Sequence, residues 1–295
     1  MIRIATSQMY SRPTSLMSAL TAKADSVQTS IATGTKFTAP SSDAAAFRRL
    51  DSLKRGKADD LSSAANVKLA QGILAQSDST LASIETQLQR VQELTIEASN
   101  GTLTDQNRSA IASQISAITD DIYALANTKD VRGQPLFGSS AGDAAYARAG
   151  DGSISFVGSG EPSAIPIGDG TSVQASITGD RAFGDMFSVL KSLTDALQTG
   201  GDISDATGDA LAGLTNNLSG LASARASVGA RGARLDLEAD RLSDAAIANE
   251  ESRSAIEDTD IPSAVAELQK TLTVLQATQA SFTKLSGMSL FDYLR

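Results

Sequence analysis

Residues 74–99, LAQSDSTLASIETQLQRVQELTIEAS, decide the fold. Leu74, Leu81, Ile84, Leu88 and Val91 keep a three-and-four spacing, with Ser77 at one position of the stripe. That period belongs to a helix with one narrow apolar face, not to a strand. The stretch sits in a longer run, Asp43 to Ser99, that has no proline and only two glycines, Gly56 and Gly72. If helical throughout, the run spans about 85 Å at a rise of about 1.5 Å per residue. Helices of that length are rare in compact domains and common in rods. Asn100-Gly101 then signals a turn. Thr104 is placed to cap a second run, in which Ile111, Ile115, Ile118, Ile122 and Leu125 alternate four and three. The pattern predicts an antiparallel helical hairpin with a coiled-coil seam.

Toward the N-terminus, residues 11–33 read as a helix with Pro13 in its first turn, where a missing N–H costs nothing. Leu16, Leu20, Val27 and Ile31 form its apolar stripe, with Ala24 filling the gap. Gly34 stops this helix and Pro40 disfavours helix at Ala39. Residues 34–42 are therefore a connection, with Ser41 or Ser42 available as a cap. Beyond the hairpin, residues 133–182 are punctuated by glycines. Two stretches there, Ser153–Val157 and Ser172–Ile177, alternate apolar and polar residues as half-buried strands do. A small β-rich insertion with a thin core of its own is expected.

Helix returns from Ala182 to Gln198, with Phe183, Met186, Phe187, Leu190, Leu193 and Leu197 on one side, and breaks at Gly200-Gly201. The next segment carries Leu211, Leu214, Leu218, Leu221, Val228, Leu235 and Leu242 on a heptad whose remaining positions are Arg225, Gly232, Ala239 and Ala246. Pro262 opens a last helix with Val265, Leu268, Leu272, Leu275 and Phe282, and Gly287 ends it before an apolar tail, Leu290, Phe291, Tyr293 and Leu294. The fold class predicted is mainly α. Both chain ends form a long antiparallel helical coiled-coil or bundle rod, and a small β-rich domain is inserted mid-chain.

Composition narrows the chemistry. The chain has 295 residues with no His, Cys or Trp, and 4% aromatic residues. No Ser-His-Asp relay, cysteine nucleophile, disulfide or Cys/His zinc site can be built. A net charge of −9 argues against a nucleic-acid partner. No apolar run approaches the roughly 18 residues that span a membrane. Residues Met1 to Tyr10 lack the apolar core and cleavage site of a secretory signal. Ser281-Phe282-Thr283-Lys284 matches S-x-x-K but lacks its companion motifs. Asp120-Asp121 and Glu250-Glu251 are adjacent on helices, about 100° apart, and cannot converge on one substrate. No phosphate-binding loop or calcium-loop spacing is present. No cofactor or metal is expected. The basic cluster Arg48, Arg49, Lys54, Arg55 and Lys57 reads as a solvated helix face or a charged contact with a neighbouring subunit.

The terminal helices each carry one stripe and lack a third helix to bury it. Such helices are marginal alone in water. The two ends must pair with each other or dock on another molecule, the logic of a subunit built to polymerise.

Particular residues also resemble a known family. Arg3-Ile4-Ala5-Thr6 with Met9-Tyr10 resembles the start of the hook–filament junction proteins of the bacterial flagellum, the hook-associated protein 3 branch of the flagellin superfamily. Thr33-Gly34-Thr35-Lys36-Phe37 through Pro40-Ser41-Ser42-Asp43 resembles the T-G-K…P-S-D-D joint shared with flagellins, though Ala44 replaces the second Asp. Ser99–Asp105 and Leu125–Thr128 resemble the next hairpin. Leu275–Phe282 and Ser289–Leu294 resemble the family's ending.

The resemblance implies a non-enzymatic structural subunit, exported through the flagellar type III channel without a cleaved signal. A ring of its copies would join the preceding hook-associated protein to flagellin, outside the cell. It implies a cytoplasmic export chaperone as a further partner. It also implies three domains: 1–42 with 250–295 (terminal coiled coil), 43–132 with 183–249 (helical rod) and 133–182 (β-rich outer domain). The expected assembly interface is Ile4, Tyr10, Leu16, Leu20, Val27, Ile31, Val265, Leu268, Leu272, Leu275, Phe282, Leu290, Phe291 and Leu294. Flagellin itself, a filament subunit, and a flagellin-like surface adhesin are the other readings of the same residues.

Overall fold

The computed structural model describes residues 2–37, 39–41, 43–138 and 144–287, with side chains described from Ser11 to Lys284 within those ranges. Among the described residues seven helices and four short strands follow one another. They are α1 (Ile2–Thr33), α2 (Ala44–Ala98), α3 (Asp105–Ala126), β1 (Tyr146–Arg148), β2 (Ile154–Phe156), β3 (Ala164–Gly168), β4 (Thr171–Gln174), α4 (Gly179–Phe183), α5 (Met186–Thr199), α6 (Ser204–Glu257) and α7 (Ile261–Gly287). The chain is mainly α, with helices toward both ends and, among the described residues, its strands in the middle. It divides into two compact units, Met1–Ala58 with Ala246–Arg295, and Asp59–Ala245.

Packing of the second unit follows from the stripe on α2. Leu74, Leu81, Ile84, Leu88 and Val91 are all buried, and Ser77 joins them by donating its hydroxyl to the Ile73 carbonyl at 2.9 Å. Thr95 does the same toward Val91 at 2.7 Å. This back-bonding satisfies a hydroxyl within its own helix and lets a polar residue occupy an apolar seam. The Asn100-Gly101 turn reverses the chain, and the Thr104 hydroxyl caps α3 by accepting from Asn107 N. Ile111, Ile115 and Ile122 of α3 are buried, with Ile118 and Leu125 packed beside them.

Helix α6 returns antiparallel to α2. Arg225 reaches Asp78 and Glu85 at 2.9 and 2.8 Å, and Gln71 donates to Asp236 at 2.7 Å. The seam differs from the expected one along one edge. Leu214, Leu221, Val228, Leu235 and Leu242 are buried, and at the alternate positions Ala210, Asn217 and Ala224 are buried while Leu218 packs half-buried beside the core and Leu211 and Arg225 are only partly covered. The small residues admit a close approach. At Gly213 on this helix an added Cβ would lie 2.8 Å from Val189 of α5. Arg225 is instead turned to the rim, where its charge is paired.

The mid-chain strands form two separate antiparallel hairpins, β1 with β2 and β3 with β4, with a register shift between Pro166 and Gly168. Their core is not their own. Tyr146 of β1 meets Phe156 of β2, Phe183 of α4 and Phe187 of α5 at ring-centroid distances of 5.5, 5.9 and 4.9 Å, and Phe137 stands edge-on to Phe183 at 5.0 Å. Burial raises the Tyr146 phenol above its ordinary value, and the Asp180 charge adds to this. The strands therefore share a core with the helices of this unit.

Several local expectations are corrected. Helix α1 begins at Ile2, so Pro13 lies inside it rather than in its first turn. A ladder hydrogen bond is forfeited there. The helix expected over Ala182–Gln198 is two helices, because Gly184 takes φ +51° between them. The cap of α2 is not Ser41; Asp43 Oδ1 accepts from Ala45 N and Ala46 N, each at 2.9 Å. Ser42 lies outside the described residues.

Gly179 tests the shared core. A Cβ there would sit 2.5 Å from the Tyr146 ring. Gly179→Ala should destabilise the second unit by about 1–3 kcal/mol through overpacking, read as a lowered melting temperature by circular dichroism.

Candidate assembly surface

The first unit brings both chain ends together. Helix α1 packs on α7 as an antiparallel pair, joined by a polar strap at one end. Thr35 bridges Asp258, Lys36 N donates to the Glu257 carbonyl at 2.7 Å, and Thr259 N donates to the Gly34 carbonyl at 2.8 Å. Gly34 reverses the chain at φ +72°, which a side chain rarely adopts. Arg253 pairs with Glu250, Glu257 and Asp258 at 2.8, 2.7 and 3.3 Å, so the strap is charged as well as hydrogen-bonded.

Along the pair, the less exposed positions of α1 include Met17, Leu20, Ala24, Val27 and Ile31, and those of α7 include Leu268, Thr271, Leu275 and Phe282. Among the described side chains of the pair, only Ala24 and Thr271 are buried, each at 6% exposure. Thr271 satisfies its hydroxyl on the Glu267 carbonyl at 2.8 Å, and Lys23 pairs with Glu267 at 2.7 Å across the helices. Lys23 holds the Glu267 carboxyl below its ordinary value, and Arg253 followed by Lys57 does the same for Glu250.

The expected interface residues therefore separate into two faces. Leu20, Val27, Ile31, Leu268, Leu275 and Phe282 turn toward the α1–α7 seam. Leu16, Val265 and Leu272 turn outward, at 52%, 38% and 42% exposure. Sequence reasoning grouped the two sets because both follow three-and-four spacing, and it missed two further exposed residues, Ile261 and Val274. Leu16 also lines a groove of about 610 Å³ with Arg12, Pro13, Ala19, Ser281 and Phe282. The side chains of Ile4, Tyr10, Leu290, Phe291 and Leu294 lie outside the described residues.

The charged candidates are also placed. Arg55 pairs with Asp51 at 3.0 Å and Lys57 with Glu250 at 3.2 Å, while Arg48, Arg49 and Lys54 are exposed and make no ion pair among the described residues. Asp120 pairs with Arg148. Among the described residues no cluster of His, Cys, Asp or Glu could hold a metal ion, and no helix is long and apolar enough to cross a membrane.

Against known proteins, residues 4–141 match the bacterial flagellin N-terminal helical region and residues 211–294 the bacterial flagellin C-terminal helical region. The chain belongs to the flagellin superfamily. Its relatives include flagellar hook-associated protein 3 of Salmonella typhimurium, 27% identical over 100% of both chains. The Escherichia coli protein of that name is 26% identical over 89% of this chain and 90% of its own. A flagellin of Listeria innocua is 27% identical over 70% of this chain and 68% of its own. A solved structure from Vibrio parahaemolyticus, assigned to a flagellar hook-associated protein, superposes with a TM-score of 0.69 at 19% identity, covering 74% of this chain and 100% of that one. Structural subunits of the flagellum are thus the company this fold keeps.

Two outcomes follow for the terminal unit. Ala24→Asp places an unpaired charge in the α1–α7 seam. It should abolish amide protection along α7 in hydrogen exchange while leaving that of α3 intact. Glu250 and Glu267 carry lowered carboxyl values in the folded unit, so their contribution is present above the ordinary glutamate value of 4.5 and is lost as pH falls through the folded values. Acid titration followed by exchange should therefore release α7 at a higher pH in Lys23→Gln, which lacks the partner of Glu267, than in the parent.

Proposed function

We propose that this chain is a structural subunit of the bacterial flagellum that forms the junction between the hook and the flagellin filament. One observation carries the reading: hook-associated protein 3 of Salmonella aligns over the whole of both chains, whereas the Listeria flagellin aligns over 70% of this one. The outward apolar residues of the terminal pair supply a physical basis for polymerisation. Leu16, Val265, Leu272 and Val274 remain on the surface of the α1–α7 pair, which has little core of its own. Burying such residues against further copies stabilises an assembly by about 25 cal/mol for each Å² of apolar surface removed from water.

On this reading the copies form a ring through their terminal helices, with Ile4, Tyr10, Leu290, Phe291 and Leu294 completing the contact. The preceding hook-associated protein lies on one side and flagellin on the other. The protein is not an enzyme and takes no cofactor. It acts outside the cell after export through the flagellar channel without a cleaved signal, and a cytoplasmic chaperone covers its C-terminal helix beforehand. The three-domain division of residues 1–42 with 250–295, 43–132 with 183–249, and 133–182 belongs to the same proposal.

Deletion of residues 262–295 in the native bacterium tests it. Bare hooks with flagellin shed into the medium are the expected result. Normal filaments would overturn the junction role, and bare hooks without shed flagellin would identify the chain as flagellin itself.

A further inference from the structure

The second unit has an outward face on each of its two longest helices, opposite the buried seam. On α2, Leu61, Lys68 and Gly72 fall within an arc of about 80° at about 100° per residue. Gly229, Leu237, Asp240 and Asp244 do the same on α6. All seven are exposed, Leu61 to 63% and Leu237 to 72%. Lys68, Asp240 and Asp244 make no ion pair among the described residues.

Two glycines stand in these faces without a reason in the chain's own packing. Glycine inside a helix is destabilising relative to alanine, and it persists where another backbone comes close. Gly213 has such a neighbour in Val189. At Gly72 and Gly229, however, an added Cβ would meet nothing within 4 Å. At both positions the helix backbone is left uncovered on the outward face.

The two faces also complement each other. One offers a leucine and a lysine around its glycine, the other a leucine and two aspartates. We propose that α2 of one copy lies along α6 of the next, with Leu61, Lys68 and Gly72 set against Gly229, Leu237, Asp240 and Asp244. In copies of like polarity these helices run antiparallel, as they do within one chain. The contact is heterologous, since each copy offers a different face on either side. Such contacts close into rings or continue as helical arrays. The inference rests on the proposed role as a self-assembling flagellar subunit, and it names the lateral contact.

Because the chain contains no cysteine, thiol cross-linking reads this contact without background. In the native bacterium, the double variant Ala65→Cys/Ala233→Cys treated with a short bis-maleimide should yield a ladder of dimers and higher species, and each single variant none. Lys68→Glu should weaken the ladder about tenfold, the size of one lost and one reversed charge contact. Adding Asp240→Lys and Asp244→Lys should restore it. Gly72→Gln should abolish the ladder without lowering the melting temperature of the purified chain. No ladder from the double variant overturns the contact. A ladder unaffected by Lys68→Glu and Gly72→Gln also overturns it. Loss at Lys68→Glu without rescue by the two lysines assigns the face to a different protein and overturns self-contact. These results are independent of the 262–295 deletion: bare hooks with no ladder would remove this inference and leave the junction role standing.

Discussion

Every element of this protein depends on one constraint: a helix with a single narrow apolar face must find another such face. Helix α2 is 55 residues long and α6 is 54. Neither could persist alone in water, because helix propagation barely exceeds the conformational entropy it costs. Burying leucine and isoleucine side chains contributes about 1.5–3 kcal/mol each. The seam of the second unit collects a long series of them, from Val67 to Leu94 on α2 and from Leu214 to Leu242 on α6. Hydroxyls at seam positions are absorbed by their own helices, so serine and threonine interrupt the stripe without breaking it.

The terminal unit follows the same rule with far less material. Among the described residues its α1–α7 seam buries Ala24 and Thr271, and the other seam positions are half-exposed. The polar strap around Gly34, Arg253 and Asp258 sets the geometry of the chain ends, while apolar burial contributes little. A unit so lightly packed keeps its apolar residues available to other molecules, which is what a polymerising end requires. The second unit is already satisfied internally and offers outward faces of mixed charge instead.

The mid-chain insertion shows how a poor local core can be completed from outside. Its hairpins hold few large side chains, and Tyr146 and Phe156 meet Phe183 and Phe187 of the following helices. Glycine punctuation and alternation announced β2 and β4 at nearly the right residues but not their partners β1 and β3. They could not announce the partner surface, since an aromatic on a short strand carries no record of which helix it will meet.

Helix type and direction, and the extent of α2 and α3, were legible in the sequence, because periodicity and the Asn100-Gly101 turn act within a few residues of themselves; the start of α1 and the break at Gly184 were not. The absence of His and Cys likewise removed whole classes of chemistry before any contact was known. The choice between adjacent edges of a stripe was decided by tertiary structure alone. Three-and-four spacing fits Leu214–Leu218–Leu221 as well as Leu214–Asn217–Leu221, and apolarity favours the first. The packed structure buries Ala210, Asn217 and Ala224 and leaves Leu218 half-buried at the edge of the core. In the same way Leu268 and Leu272 share one period, yet only the position of α1 turns the first inward and leaves the second to solvent. A helix declares that it has a face; which side of that face is buried depends on where its neighbour lies.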